Sequence, residues 1–318
     1  MREFRLINRI ASKIGRPFRA GFLGIGDDCA VLPKDGTTLS LISTDTFNEG
    51  IHFNRQWSSF YQAGYKAGAS AISDIAAMGG EVTALFSAIS IPRSMSEKEV
   101  MAFYRGLMTV CKKSEATIMG GDTTAALHDF SATITVIGEV KNRNLCTRSG
   151  AIYGNDIFLT GPVGYSLAGW MLLKKKKHKM GRLEKMAIRK HLFPDSRIDV
   201  VSALMAGGKL TSMIDISDGL SSELSHLAKA SGVRFIIDAA ALLTIPGLVS
   251  LAGKVKMDPV SLALSSGEEY ELLFTAQPGY HSPYAFKIGC VEKGTGVFLK
   301  VKNRLQRVMP TGFEHFAS

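Results

Sequence analysis

The sequence predicts a two-domain chain of mixed α+β and α/β character, and three observations carry that expectation. Its 318 residues set a soft prior of two domains. Runs with helical spacing alternate with short β-prone runs along the whole length, and the first half reads as α+β, with strands that need not be parallel. Polar residues cluster over 141–154, between a strongly alternating strand and a new apolar one, which suggests domains of 1–145 and 146–318.

The elements follow in order. Phe4, Leu6, Ile7, Ile10 and Ile14 have helical spacing, giving an amphipathic first helix that stops near Gly15-Arg16-Pro17. Strands are expected over 29–32 and 38–43, joined by the Pro33-Lys34-Asp35-Gly36 turn. The Ala-rich stretch 57–77 predicts a long, closely packing helix ending at Met78-Gly79-Gly80. A strand over 82–91 precedes a helix to about Ser114, capped by Ser96 with Glu99 three residues on, the pattern of a capping box. Alternation through Ala132, Ile134 and Val136 predicts a half-buried strand over 130–140. The second half reads as a strand at 156–160, helices near 164–176, 182–192 and 196–207, and a strand at 213–216. A helix over 220–230 and strands at 234–238, 271–275, 285–291 and 297–301 complete it.

Composition excludes several function classes. Hydrophobic residues make up 46% and charged residues 21%, ordinary for a globular chain with a sizeable core. Cys29, Cys111, Cys146 and Cys290 are scattered without a Cys-x-x-Cys pair, so buried thiols are expected rather than zinc, a redox dithiol or disulfides. Nine Lys or Arg against the single acid Glu184 lie between Leu173 and Lys190, so most of the formal charge of +10 is local. Without a distributed basic face, nucleic acid is not an expected partner. The Lys174–Lys177 run reads as a solvated helix end and connecting loop. Neither a signal-like start nor a membrane-length apolar run is seen, which predicts a cytoplasmic protein.

The chemistry lies in recurring aspartates. Asp27 and Asp28, Asp45, Asp74, Asp122, and Asp215 and Asp218 each stand beside glycine or small hydroxyl residues, in segments read as turns or element ends. Hard divalent cations take oxygen ligands, and Mg²⁺ is held by a few carboxylates plus substrate phosphates. A turn aspartate is ordinarily a local hydrogen-bond acceptor. So many carboxylates cannot be buried together without cations, so they are either dispersed or share metal. Walker, kinase-loop and Gly-x-Ser-x-Gly patterns are all absent.

The ordered set Gly24-Ile25-Gly26-Asp27-Asp28, Ser43-Thr44-Asp45-Thr46, Glu49-Gly50-Ile51-His52-Phe53, Ser73-Asp74-Ile75-Ala76-Ala77-Met78-Gly79, Gly120-Gly121-Asp122-Thr123-Thr124, Thr147-Arg148-Ser149-Gly150-Ala151, Asp215-Ile216-Ser217-Asp218-Gly219-Leu220 and Ser266-Gly267-Glu268-Glu269-Tyr270-Glu271-Leu272 closely resembles the thiamine-monophosphate kinase family, within the aminoimidazole ribonucleotide synthetase-like superfamily. The resemblance spans nearly the whole chain, to Gly312-Phe313-Glu314-His315-Phe316. It implies the two-domain fold of that superfamily, with an N-terminal mixed α/β domain whose sheet joins a barrel in a homodimer and a C-terminal α/β domain. It implies ATP-dependent phosphorylation of thiamine monophosphate to thiamine diphosphate, with several Mg²⁺ ions. Asp28, Ser43, Thr44, Asp45, Asp74, Asp122, Asp215 and Asp218 match metal positions. Tyr104, Gly121, Asp122, Arg148 and Ser217 match the ATP site, and His52, Glu268 and Phe313 the substrate site. No catalytic residue separate from these is implied. Glu269 stands where the family pattern usually has Asp, Ser266 where Gly is common, and Phe313 where another aromatic occurs.

Overall fold

A computed structural model describes residues 3–15, 20–175 and 180–313. The first half contains α1 (Glu3–Ile14), β1 (Ala30–Pro33), β2 (Thr38–Asn48), α2 (Phe60–Ala77), β3 (Glu81–Pro92), α3 (Glu97–Lys113), β4 (Thr117–Ala126) and β5 (Ser131–Lys141). Its five strands form one sheet in the order β1-β2-β5-β3-β4, antiparallel except for the parallel β3–β4 pair. One sheet face is covered by α2 and α3, with Leu41, Leu85, Ile134 and Val136 buried against Ile72, Ile75, Phe103 and Leu107. The small residues of α2 allow a close crossing: a Cβ on Gly64 would fall 1.9 Å from the Phe103 carbonyl oxygen, and one on Gly106 equally close to that of Tyr61.

The second half adds β6 (Asp156–Leu159), α4 (Tyr165–Leu173), α5 (Arg182–Leu192), α6 (Ile198–Met205), β7 (Leu210–Asp215), α7 (Leu220–Ser231) and β8 (Arg234–Asp238). After α8 (Ala239–Leu243), α9 (Leu248–Val255) and α10 (Pro259–Ser265) come β9 (Leu272–Ala276), β10 (Phe286–Glu292), β11 (Gly296–Val301) and β12 (Arg304–Arg307). Seven strands run in the order β12-β11-β8-β10-β6-β9-β7, and only β11–β8 is parallel. A separate cluster joins the halves, with Ala76 and Ala77 at the end of α2 packed among Phe158, Val200, Leu204, Met213 and Phe274. The chain is thus two mixed α/β domains in contact. Among the described residues no helix is long and apolar enough to cross a membrane.

The capping signal of α3 resolves as reciprocal bonds, and α2 has a second box that the sequence reading did not name. Ser96 accepts the Glu99 N–H while the Glu99 side chain takes the Ser96 N–H, and Ser59 and Gln62 do the same for α2, which therefore starts at Phe60 instead of Trp57. Asp45 lies inside β2 and Asp74 inside the last turn of α2. The larger departure is β4. Gly120-Gly121-Asp122-Thr123-Thr124 reads as a turn because of its glycines, yet it forms an edge strand paired to β3. Cys29 sits just before β1 and is buried. The Arg16-Pro17 stop signal, Lys176–Lys179 and the Glu314-His315-Phe316 ending fall outside the described residues.

Candidate active site

A cleft of about 660 Å³ lies between the two sheets. Its floor is lined by Asp45, Asp74, Asp215, Ser217 and Asp218, and its walls include His52, Trp170, His191, Glu268, Tyr270 and Phe313.

The floor is assembled from both halves. Asp45 pairs across the sheet with buried Ile134 and so points to the helix-covered face, toward α2. Lys66, Ser70 and Asp74 recur every four residues along α2, which places them on one stripe of that helix. Asp215 ends β7, and Asp28 precedes β1. One carboxylate oxygen each from Asp28, Asp74 and Asp215 lies within 4.8 Å of the others. Asp74 accepts the Ser43 hydroxyl at 2.5 Å. Arg148 donates to Asp28 Oδ1 from Nη2 at 2.5 Å and from Nε at 3.2 Å, while Asp28 Oδ2 is buried without a hydrogen-bond partner. Asp27, whose role the sequence left open, is a strut: both its oxygens accept the Arg148 N–H, each at 3.1 Å.

Crowding leaves an electrostatic signature. Burial, then repulsion from Asp28, pushes Asp215 up to about 8 and Asp27 up to about 6. Burial also raises Asp28, although Arg148 opposes it, and raises Asp45, although the Ser70 hydroxyl opposes it. Asp74 is raised well above its ordinary value by burial and then by Asp45, Asp215 and Asp28. These shifts mark a group of acids short of positive charge.

Beyond Asp215 the chain folds tightly on itself. Gly219 has φ +143°, and a Cβ there would sit 3.2 Å from Gly312 Cα, so the Ser217–Gly219 turn and the 311–313 segment touch backbone to backbone. Phe313 N–H donates to the Asp218 carbonyl at 2.9 Å, and Glu268 N–H to that of Ser217 at 2.6 Å. Glu223, which the sequence reading missed, is buried on α7 and accepts the Asp218 N–H at 2.9 Å. Its only sequence signal is an acid set among Leu220, Leu224 and Leu227, which recur at helical spacing.

On the wall, Glu268 Oε1 meets Lys66 Nζ at 2.6 Å, and its Oε2 lies 3.5 Å from His191 Nδ1. Burial, then Lys66, lowers His191 to about 3, so the ring is neutral. His52 accepts the Asn48 N–H on Nδ1 at 2.9 Å and stacks on Phe47. Behind the wall, Glu271 accepts from Lys190 at 2.5 Å and Thr160 at 2.7 Å and pairs with Arg197 at 3.1 Å. Lys190, the last member of the basic stretch, thus turns inward.

Part of the expected set stays apart. Asp122 shares a cross-sheet row with Ala88, Thr133 and Thr46 on the open face, opposite to the one Asp45 faces. Three strand spacings, about 14 Å, separate β4 from β2. Tyr104 on α3 and Gly121 on β4 also lie outside the cleft lining, as do Asp28, Ser43, Thr44 and Arg148, although Asp28 groups with Asp74 and Asp215, and Ser43 and Arg148 bond to Asp74 and Asp28.

The family pattern of AIR synthase related protein, N-terminal domain, matches residues 26–140, and that of the C-terminal domain matches 153–308. The thiamine-monophosphate kinase of Aquifex aeolicus is 33% identical over 92% of this chain and 92% of its own length, and that of Bacillus subtilis 32% identical over 99% and 100%. The chain belongs to the thiamine-monophosphate kinase family. AaThiL, solved in complex with AMPPCP and TMP, superposes with a TM-score of 0.89 at 31% identity, covering 99% of this chain and 97% of that one. For a member of this kinase family the floor fits a hard cation: all its donors are carboxylate or hydroxyl oxygens, and the bare Asp28 Oδ2 lacks the partner that a buried oxygen requires.

Proposed function

We propose that this chain transfers the γ-phosphate of ATP to the phosphate of thiamine monophosphate, giving thiamine diphosphate and ADP. One observation carries the reading: undercompensated carboxylates of Asp45, Asp74 and Asp215 line the floor of a cleft, with Asp28 grouped behind Asp74 and Asp215, and the Glu268 wall is paired with Lys66. The kinase names of the relatives and the nucleotide analogue and TMP of the superposed structure support it.

Asp28, Asp45, Asp74, Asp215 and Asp218 would hold Mg²⁺, with Ser43 adding its hydroxyl; the Thr44 hydroxyl faces the other side of the sheet, against Thr135, so only the Thr44 backbone oxygen is left to contribute. Bound there, Mg²⁺ would neutralise phosphate charge and align the transfer. The rest falls to the protein. A substrate phosphate oxygen attacks the γ-phosphorus as the bond to the ADP oxygen breaks; that oxygen is already anionic, so no general base is required. The hydroxyl–imidazole contact in the cleft lining, Ser166 Oγ to His191 Nδ1 at 3.2 Å, has no part in such a transfer. Ser43 orients Asp74, Glu223 fixes the Ser217–Asp218 turn, and Arg148 holds Asp28 and would face ATP. His52, Glu268 and Phe313 form the wall for the thiamine moiety. The activity belongs in the cytoplasm, and the 1–145 and 146–318 units supply the two sides of the site.

The same reading includes a homodimer. Among the described residues, β2 has no partner on its β1 side beyond Ile42, β4 is an open edge with nearly every residue exposed, and Thr44, Thr46 and Phe86 line an uncovered face. Open edges of this kind are ordinarily covered. Pairing β4 of one copy with β2 of another would close a barrel and carry Gly121 and Asp122 to the Thr44–Asp45 end of the other copy's site. Incubation with ATP, Mg²⁺ and thiamine monophosphate tests the activity: ADP released without thiamine diphosphate would assign another acceptor, and no turnover would leave a binding protein. Mixing Asp45→Asn with Asp122→Asn chains tests the pairing, because heterodimers would carry one intact site and restore roughly a quarter of the wild-type rate. Mixtures as inactive as the separate variants would rule out a site shared across copies.

A further inference from the structure

The Lys66 contact changes what Glu268 can offer a ligand. Lys66 is 3% exposed and its ammonium lies 2.6 Å from Glu268 Oε1, so the carboxylate is already matched by a fixed charge. The neutral His191 ring adds none. An arriving cationic heterocycle therefore meets a balanced pair on that side of the cleft. On another part of the wall, at the last turn of α4, Trp170 lines the same cleft and is 36% exposed. Its ring already carries a cation: Lys174 Nζ stands 3.3 Å from the ring centroid. Trp is the best of the aromatic faces for this interaction, and the gain increases when water is excluded.

Building on the proposed thiamine-monophosphate substrate, we propose that Trp170 is a specificity-determining residue whose ring takes the cationic thiazolium, and that Lys174 occupies this face until the substrate displaces it. A flat, permanently charged ring offers a larger contact than an ammonium, and an ammonium keeps more of its hydration when released to solvent. The first lysine of the basic stretch is then a placeholder at the cleft mouth, beyond the solvated helix end its sequence suggests. The face would discriminate against substrates of like shape that lack the ring charge.

The chain has two tryptophans, so Trp57→Phe leaves Trp170 as the sole indole reporter. In that background thiamine monophosphate with Mg²⁺ is expected to change Trp170 emission saturably, and Lys174→Met to shift the midpoint to lower concentration by about threefold. In steady state, Trp170→Ala should raise KM for thiamine monophosphate on the order of tenfold with kcat within about twofold, and Trp170→Phe should recover most of it. Emission that ignores the ligand, or a Trp170→Ala KM within twofold of wild type, overturns the proposal while wild-type turnover stands. If Trp170→Ala melts early, Trp170→Phe and the titration decide. Absence of wild-type turnover would instead refute the substrate reading on which the proposal rests.

Discussion

The cleft floor and the wall behind it both bury carboxylates, but they treat them in opposite ways. On the floor, Asp28, Asp45, Asp74 and Asp215 face one another, and Arg148 is the cation set against them. On the wall, Glu268 and Glu271 meet Lys66, Lys190 and Arg197 at 2.6, 2.5 and 3.1 Å. A matched acid is at rest in the empty protein, while an unmatched one raises its own proton affinity and awaits a cation. Charge balance thus separates the floor aspartates from Glu268 and Glu271, although buried Glu223 and Glu269 are raised too without belonging to the floor.

The sharpest way to break this contrast is to neutralise one acid in each region. Asp74→Asn should lower kcat/KM on the order of a hundredfold or more while leaving the metal-free protein at least as stable as wild type, because it removes a repelling charge. Near wild-type turnover in a steady-state assay would mean that Asp74 holds no essential cation. On the wall the signs reverse. Glu271→Gln strands the charges of Lys190 and Arg197, which are 12% and 19% exposed in their side chains, and should cost about 3 kcal/mol in urea unfolding. Its Mg²⁺-dependent stabilisation should be unchanged. A loss below about 1 kcal/mol would show that the pairs are not matched in solution.

A pH series probes the floor as a whole. With Asp27 raised to about 6 and Asp215 to about 8, the folded state keeps protons that the unfolded chain releases near its ordinary value of about 4. Protons bound only by the folded form stabilise it, so this contribution is complete below about pH 4 and declines as pH rises towards 8. Melts in a chelator should therefore fall between about pH 5.5 and 8, and Mg²⁺ should restore more at the upper end. A chelated protein that grows more stable across that window would contradict the crowding described for the floor.

Part of the floor was legible in the sequence, because Asp74 falls on an otherwise apolar, small-residue stretch, where a charge is expensive without a partner, and Asp215 closes a strand just before a helix. The placement of Asp122 was not. Its glycines argue for a turn, and only pairing with β3, a contact distant in sequence, makes the segment a strand and sends the side chain to the open face. Most of the wall was equally hidden. Lys66, Ser70 and Asp74 share helical spacing that the sequence does print, but Lys66 meets Glu268 across some two hundred residues, and no local pattern announces that pairing. Lys190 shows the same limit, since composition counts it in a basic stretch without saying where it points, and only Glu271, 81 residues on, fixes it inward.

The smallest expected effect sharpens the contrast from outside. Lys34 and Glu139 also form a matched pair at 2.5 Å, on the rim of the first sheet, with side chains 47% and 35% exposed. Both charges keep much of their water, so separating them should matter little: Lys34→Met is expected to change unfolding free energy by less than about 0.5 kcal/mol. Glu271→Gln and Lys34→Met therefore test one geometry at two depths, and urea unfolding of the pair measures how much of the wall's contribution comes from burial. Equal losses in the two variants would mean that ion-pair distance alone sets the cost. The floor and wall would then have to be distinguished by something other than how their buried charges are compensated.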